Sequence, residues 1–264
     1  YNIFWYDFNK TYSDIFWMIK IENISKSFGD FVVLKNVNLE ISKGETLVIL
    51  GKSGTGKSVL LRIIIGLLEP DEGSIFINNF DITKININQL NQIRKKIGFL
   101  FQNSALYDSL SVRENLEFAL RDRKDLSYKE ITKRVEKYLD AVKLIDAIDK
   151  MPSELSGGMR KRVALARALI IEPEIILYDE PTTGLDPITT REISYLISDV
   201  QKEFNLTSIV VTHDLECVRI VADKIAVLHM GEIKYYGDYA GLLNSNEEIV
   251  MDFLGKKELG LKFI

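Results

Sequence analysis

Apolar side chains recur along the chain in two periods, and the switches between them set out the elements. Strands are expected at 19–25, 31–41 and 46–50, with turns at Gly29-Asp30 and Lys43-Gly44. The third of these has the composition of a strand buried on both faces. Past residue 58 the period becomes helical: Leu61, Ile64, Ile65 and Leu68 form one stripe over 59–68, ended by Pro70. Strands follow at 73–78 and 97–101, and then at 175–178, 208–211, 225–228 and 232–236. Helices starting at Pro187 and after Asp214 separate the later ones. In the first of these helices Asp186 is the expected N-cap, and Ile193, Leu196, Ile197 and Val200 are expected to face inward. Short, branched, non-alternating strands joined by helices predict an α/β fold with a mainly parallel sheet covered on both faces.

The stretch 111–151 is different, being helical and charged. Ser111-Val112-Arg113-Glu114 and Ser127-Tyr128-Lys129-Glu130 are capping boxes, and Ile131, Val135, Tyr138 and Val142 recur at helical spacing. An inserted helical subdomain is expected over about 103–157, its charges forming a solvated face. Residues 1–17 are aromatic, lack a period and do not begin with Met. They are expected to be a non-native or disordered extension, with the folded unit at 18–255 and a frayed tail at 256–264.

Composition adds exclusions. A net charge of −4 gives no electrostatic case for a nucleic-acid partner. One cysteine, Cys217, allows no internal disulfide and fits a reducing compartment. No apolar run reaches the 18 or so residues needed to cross a bilayer.

The chemistry starts at Gly51-Lys52-Ser53-Gly54-Thr55-Gly56-Lys57-Ser58, between a predicted strand and a predicted helix. This is a phosphate-binding loop. Glycines let the backbone wrap an anion, and successive N–H groups with the helix N-terminus supply positive potential. Lys57 is placed for β- and γ-phosphates and the Ser58 hydroxyl for Mg²⁺. Downstream, Leu155-Ser156-Gly157-Gly158-Met159 opens a helix with Met159, Val163, Ala166 and Ile170 on its inner face. The apolar strand 175–178 then delivers Asp179 and Glu180 at its carboxyl end, where open α/β sheets bind ligands.

With these three motifs in order, the sequence from about 19 to 255 resembles the ABC-transporter ATPases, whose signature is Leu-Ser-Gly-Gly-Gln. The resemblance implies a P-loop NTPase core with an antiparallel β subdomain and the inserted helical subdomain. It also implies roles for individual residues. Asp179 would orient Mg²⁺ and Glu180 would act as general base. Ser156, Gly157 and Gly158 would contact the γ-phosphate held by a second copy of the chain. Gln102 matches the Q-loop glutamine that senses Mg²⁺ and the attacking water, His213 the switch histidine, and Asp186 the D-loop at the dimer interface. Phe28 stands where the family stacks an aromatic ring, more often tyrosine, on adenine. His229 is expected to be structural.

Departures from the general pattern narrow the resemblance. Met159 replaces the signature glutamine, and Val59 follows the phosphate loop where Thr or Ser is usual. With the Q-loop and D-loop sequences, these features look like the ATPase of MCE-type lipid transporters. Such systems imply ATP and Mg²⁺, a dimer of the chain, membrane permeases and an MCE-domain lipid-binding protein. They also imply peripheral attachment to the cytoplasmic face of the inner membrane. Residues 103–108 are the expected permease contact. The alternatives are an importer ATPase for amino acids or another small solute, and a soluble non-transport ABC ATPase. The latter lacks support because no long coiled coil or second cassette is present. A degenerate regulatory cassette is opposed by Lys57, Asp179, Glu180 and His213.

Overall fold

The computed structural model describes residues 17–255. In chain order the elements are β1 (Ile19–Phe28), β2 (Phe31–Ile41), β3 (Thr46–Leu50), α1 (Lys57–Ile64), β4 (Glu72–Ile77), β5 (Phe80–Asp81), α2 (Ile87–Arg94) and β6 (Ile97–Leu100). There follow α3 (Val112–Ala119), α4 (Tyr128–Ala141), α5 (Gly157–Leu169), β7 (Ile175–Asp179), α6 (Pro187–Phe204) and β8 (Thr207–Thr212). The chain then forms α7 (Leu215–Val221), β9 (Lys224–His229), β10 (Glu232–Gly237), α8 (Tyr239–Leu243) and α9 (Glu248–Phe253).

The main sheet has the order β10-β9-β3-β8-β7-β6, with β9, β3, β8, β7 and β6 parallel and β10 antiparallel at the edge. Its strands do not alternate because each feeds two cores. Val48 and Leu50 of β3, Ile176 and Tyr178 of β7, and Ile225 and Val227 of β9 join the helices α3 to α7 in one. Leu47, Ile49, Leu177 and Ala226 join β1, β2, β4 and α1 in the other. Both faces of the sheet are thereby covered, as expected. A second sheet, β2-β1-β4-β5, is antiparallel.

Local capping chemistry behaves as the sequence suggests. Ser111 and Ser127 form both capping boxes. Asp186 accepts from Ile188 N and Thr189 N at the start of α6, and Ile193, Leu196, Ile197 and Val200 are buried. On α4, Val135, Tyr138 and the capping Val142 are buried, whereas Ile131 is half-exposed. Cys217 is buried in α7, and burial pushes its thiol up to about 12.

Elsewhere the structure differs from expectation. The first helix ends at Ile64, because Gly66 takes φ +69°, so Leu68 lies beyond it. The helix α2, capped by Asn86 and Gln89, was not expected. It buries only Leu90 and so carries almost no apolar stripe. The short β5, α8 and α9 also carry too little pattern to be read from sequence. Trp17 packs edge-on against Phe76, with ring centroids 6.2 Å apart. The rest of the expected extension, residues 1–16, and the tail 256–264 lie outside the described residues.

The strand β1 bulges at Asn23, φ +53°, and Gly73 on β4 crosses the bulge at φ +92°. A Cβ there would stand 2.3 Å from the Glu22 carbonyl oxygen. Gly73→Ala is therefore expected to cost about 3 kcal/mol in urea unfolding. Gly29→Ala, at φ +58° with nothing within 4 Å, is expected to cost only about 1 kcal/mol.

Candidate functional site

The parallel strands end at one edge, and their registers bring together segments distant in sequence. Leu50 pairs with Thr212, Asp179 with Val211, and Leu100 with Tyr178. The next residues along are the glycine-rich loop, Glu180, His213 and the Phe101-Gln102 segment.

The loop 51–56 leaves β3 with Gly51 N donating to Thr212 O at 3.2 Å. A side chain on Gly51 would clash with Leu228 O at 2.7 Å. Gly56 caps α1 at φ +99° without a side-chain hydrogen bond, and the first turn carries no acidic residue. The opening N–H groups of α1 are thus left to an anion. Ser53 and Gly54 are exposed above this cradle, Thr55 Oγ1 donates to Lys52 O at 2.9 Å, and Val59 is half-buried beneath it.

Lys57 is buried and folds back over the loop. Its Nζ donates to Gly51 O at 2.7 Å and Lys52 O at 3.0 Å, and it lies 3.2 Å from Glu180 Oε1. Ser58 Oγ donates to Asp179 Oδ1 at 2.7 Å. Glu180 sits at φ +49°, its N–H bonded to Val211 O at 3.0 Å. The Glu180 carboxylate, itself buried, accepts from Thr183 Oγ1 at 3.1 Å and from His213 Nδ1 at 2.9 Å. The structure therefore places Lys57, Ser58, Asp179, Glu180 and His213 in one constellation. A hydroxyl beside a carboxylate is an oxygen donor pair suited to Mg²⁺, which takes one or two protein oxygens and fills its shell from phosphates and water. Among the described residues there is no group of three or more His, Cys, Asp or Glu that could hold a metal ion.

The remaining expected residues lie around this centre. Gln102 is exposed just past β6, and its carbonyl accepts a hydrogen bond from Lys161. Phe28 is half-exposed at the end of β1, with Lys26 Nζ 5.6 Å from its ring centre. The adjoining β2 abuts the loop through Val33, whose Cγ1 is 2.9 Å from an ideal Cβ on Gly56. Ser156 caps α5 by accepting from Met159 N at 3.2 Å. Gly157 and Gly158 lie against Leu185 and Thr189, beside the cap of α6. Asp186 is exposed there, and the Thr189 hydroxyl, then the Thr189 N–H, hold its carboxyl below the usual range. Among the described residues no hydrogen bond joins 156–158 to the loop 51–58. His229 ends β9 and is half-buried.

Sequence reasoning missed several contributors. Lys161 is buried, donating to Gln102 O and, at 3.3 Å, to Glu180 O. Its signal was its position on the stripe Gly158, Lys161, Leu165, Ala168 of α5. Thr183 left no signal of its own. Arg167 donates to Ala105 O at 2.7 Å and Ser104 O at 2.9 Å, bracing the segment after Gln102. Lys52, in the phosphate loop, pairs with Asp252 of α9.

The family profile described as ABC transporter matches residues 34–183, more than half of the chain. The chain belongs to the ABC-transporter ATPase family. Among its relatives is a probable ribonucleotide transport ATP-binding protein, mkl, of Mycobacterium leprae, 41% identical over 92% of this chain and 70% of that protein. Another is the intermembrane phospholipid transport system ATP-binding protein MlaF of Haemophilus influenzae, 40% identical over 90% of each. The bacterial ABC transporter cassette MJ0796, solved as a dimer, superposes with a TM-score of 0.77 at 39% identity, covering 84% of this chain and 98% of that one. It has also been solved in a post-hydrolysis state with ADP and Pi. As an ABC cassette the chain is an ATP-binding transporter subunit, and its sheet order and helical layers fit the fold.

Within the cassette, Lys57 is the buried countercharge of Glu180. Lys57→Met is expected to lower apoprotein stability by about 2–4 kcal/mol, because it strands a buried carboxylate. Adding Glu180→Gln should recover at least half of that loss, both values being read by urea unfolding without nucleotide.

Proposed function

We propose that the chain is the ATP-hydrolysing motor subunit of an MCE-type transporter that moves phospholipid between envelope membranes. The observation that carries the ATPase reading is the carboxylate of Glu180 beside Lys57 and His213 at the end of the phosphate loop. Lys57 and the free N–H groups of α1 would hold the terminal phosphates, and Phe28 would stack on the base. Bound Mg²⁺, held through Ser58 and Asp179 with Gln102 alongside, would neutralise charge on the phosphate oxygens. Glu180, oriented by Thr183 and His213, would take a proton from water as its oxygen bonds the γ-phosphorus and the bond to the leaving diphosphate breaks.

Ser156, Gly157 and Gly158 present a second anion-binding helix start that their own loop does not use. We assign it, with Asp186, to the nucleotide of a second copy of the chain, a reading supported by the dimeric MJ0796 cassette. ATP then favours the closed pair by its higher affinity for it, and hydrolysis removes that bias.

Residues 103–108 suit a permease contact because they are braced and mostly exposed, with Ser104 buried and Leu106 half-buried. Buried Asn115 bonds Tyr107 N, Tyr107 O and Leu110 O, at 2.9, 3.1 and 2.9 Å. The rings of Phe101 and Tyr107 remain exposed. We assign the chain a peripheral place at the cytoplasmic face of the inner membrane through this permease contact; among the described residues no helix is long and apolar enough to cross a membrane.

Met159 and the match with MlaF over 90% of each chain support the lipid substrate, and the MCE-domain partner is proposed with it. The similarity to mkl keeps a small-solute transporter as the second reading. Glu180→Gln is expected to bind ATP but lose hydrolysis by at least ~10²-fold. Co-purification of the full chain from its own membranes should bring down a permease, an MCE-domain protein and phospholipid. A solute-binding protein without lipid would favour the second reading instead.

A further inference from the structure

We propose that Lys161 is a positioning residue that ties the signature helix to the Q-loop and the catalytic end of β7 in the same chain, so that the two nucleotide sites of a dimer close together. This rests on the paired-site reading above and adds the device that links one site to the other.

The geometry begins at the start of α5. Ser156 caps this helix, and the signature it opens is assigned to the partner's nucleotide. Little more than one turn later, the Lys161 side chain runs into the chain's own site. Its ammonium donates to the carbonyls of Gln102 and Glu180, the latter at 3.3 Å. These acceptors belong to two segments that leave adjacent parallel strands, β6 and β7, and whose side chains serve the chain's own nucleotide. Both bonds are to backbone, so Lys161 holds the paths of the two segments and leaves the Gln102 amide and Glu180 carboxylate free to act.

Packing alone does not explain a lysine here. Its neighbours on the buried side of α5 include Ala164, Leu165, Ala168 and Leu169. Burial pushes the ammonium down to about 8, with Asp179 and Glu180 opposing that shift. An apolar side chain of similar length would avoid this desolvation. The start of the helix has little slack, since an ideal Cβ on Gly158 would lie 2.6 Å from Thr189 Cγ2. The helix is therefore pinned to α6 near its start and to the catalytic edge through Lys161. A displacement of Glu180 or the Q-loop on nucleotide binding must be shared with Ser156, and so with the partner's site.

The test compares the full-length wild type with Lys161→Met, Lys161→Gln and Lys161→Arg. ATP turnover is measured against ATP concentration, and affinity separately by titration with a fluorescent ATP analogue. Two coupled sites give the wild type a Hill coefficient well above 1. Lys161→Met is expected to bring it close to 1 and to lower kcat about tenfold, with nucleotide affinity changed less than about threefold. Lys161→Arg, which can reach both carbonyls, should restore cooperativity. Lys161→Gln, which keeps an amide donor, gives the same reading if the methionine variant fails to fold, and should show a reduced Hill coefficient. Lys161→Met or Lys161→Gln with wild-type cooperativity, whatever its kcat, would overturn the proposal. A wild type that hydrolyses ATP without cooperativity would instead overturn the paired-site reading on which it rests.

Discussion

The site depends on a buried carboxylate that is tolerated only because its neighbours converge on it. Glu180 stands in a left-handed backbone conformation at the end of β7, with Lys57 3.2 Å away and His213 and Thr183 bonded to its other oxygen. Each partner comes from a different segment, and the parallel register of β3, β7 and β8 is what brings those segments together. A slip of one residue in any of these strands would turn side chains to the wrong face of the sheet and separate the charges. The two cores on either side of the sheet therefore do more than stabilise it, since they hold the register on which the charge pairing rests.

The same arrangement explains why one chain holds two unlike anion-binding ends. The loop 51–56 and α1 face Glu180 and His213, whereas the start of α5 packs beside the cap of α6. In the proposed dimer a second molecule would join them into one site. A ligand bridging two chains can drive their association in proportion to its preference for the joined form, and its conversion to products reverses the effect. On that proposal the paired site would perform mechanical work on a membrane partner.

Much of this was legible in the sequence where the cause is local. Capping at Ser111, Ser127 and Asp186 depends on residues two or three positions apart and could be read directly. The strands of the parallel sheet were legible because burial on both faces demands unbroken apolar runs. The phosphate loop, Asp179 and Glu180 were legible as motifs, and the structure adds their contacts. What escaped depends on tertiary context. The helix α2 has a readable capping box but buries only Leu90, and Gly66 ended α1 before its apolar stripe did. Lys161 had only its place on the buried stripe of α5 as a signal, because its partners, the carbonyls of Gln102 and Glu180, lie far from it in sequence. The pairing of Lys52 with Asp252 joins residues 200 positions apart, beyond any local pattern.

The central claim is that the chain carries two halves of different sites and completes neither alone. The direct measurement is the molar mass of the hydrolysis-blocked Glu180→Gln chain by light scattering, with and without ATP and Mg²⁺. The account predicts 30.2 kDa without nucleotide and twice that with it. Ser156→Arg in the same background should stay at the lower mass. A Glu180→Gln chain that binds ATP and remains a monomer at every concentration tested would contradict it.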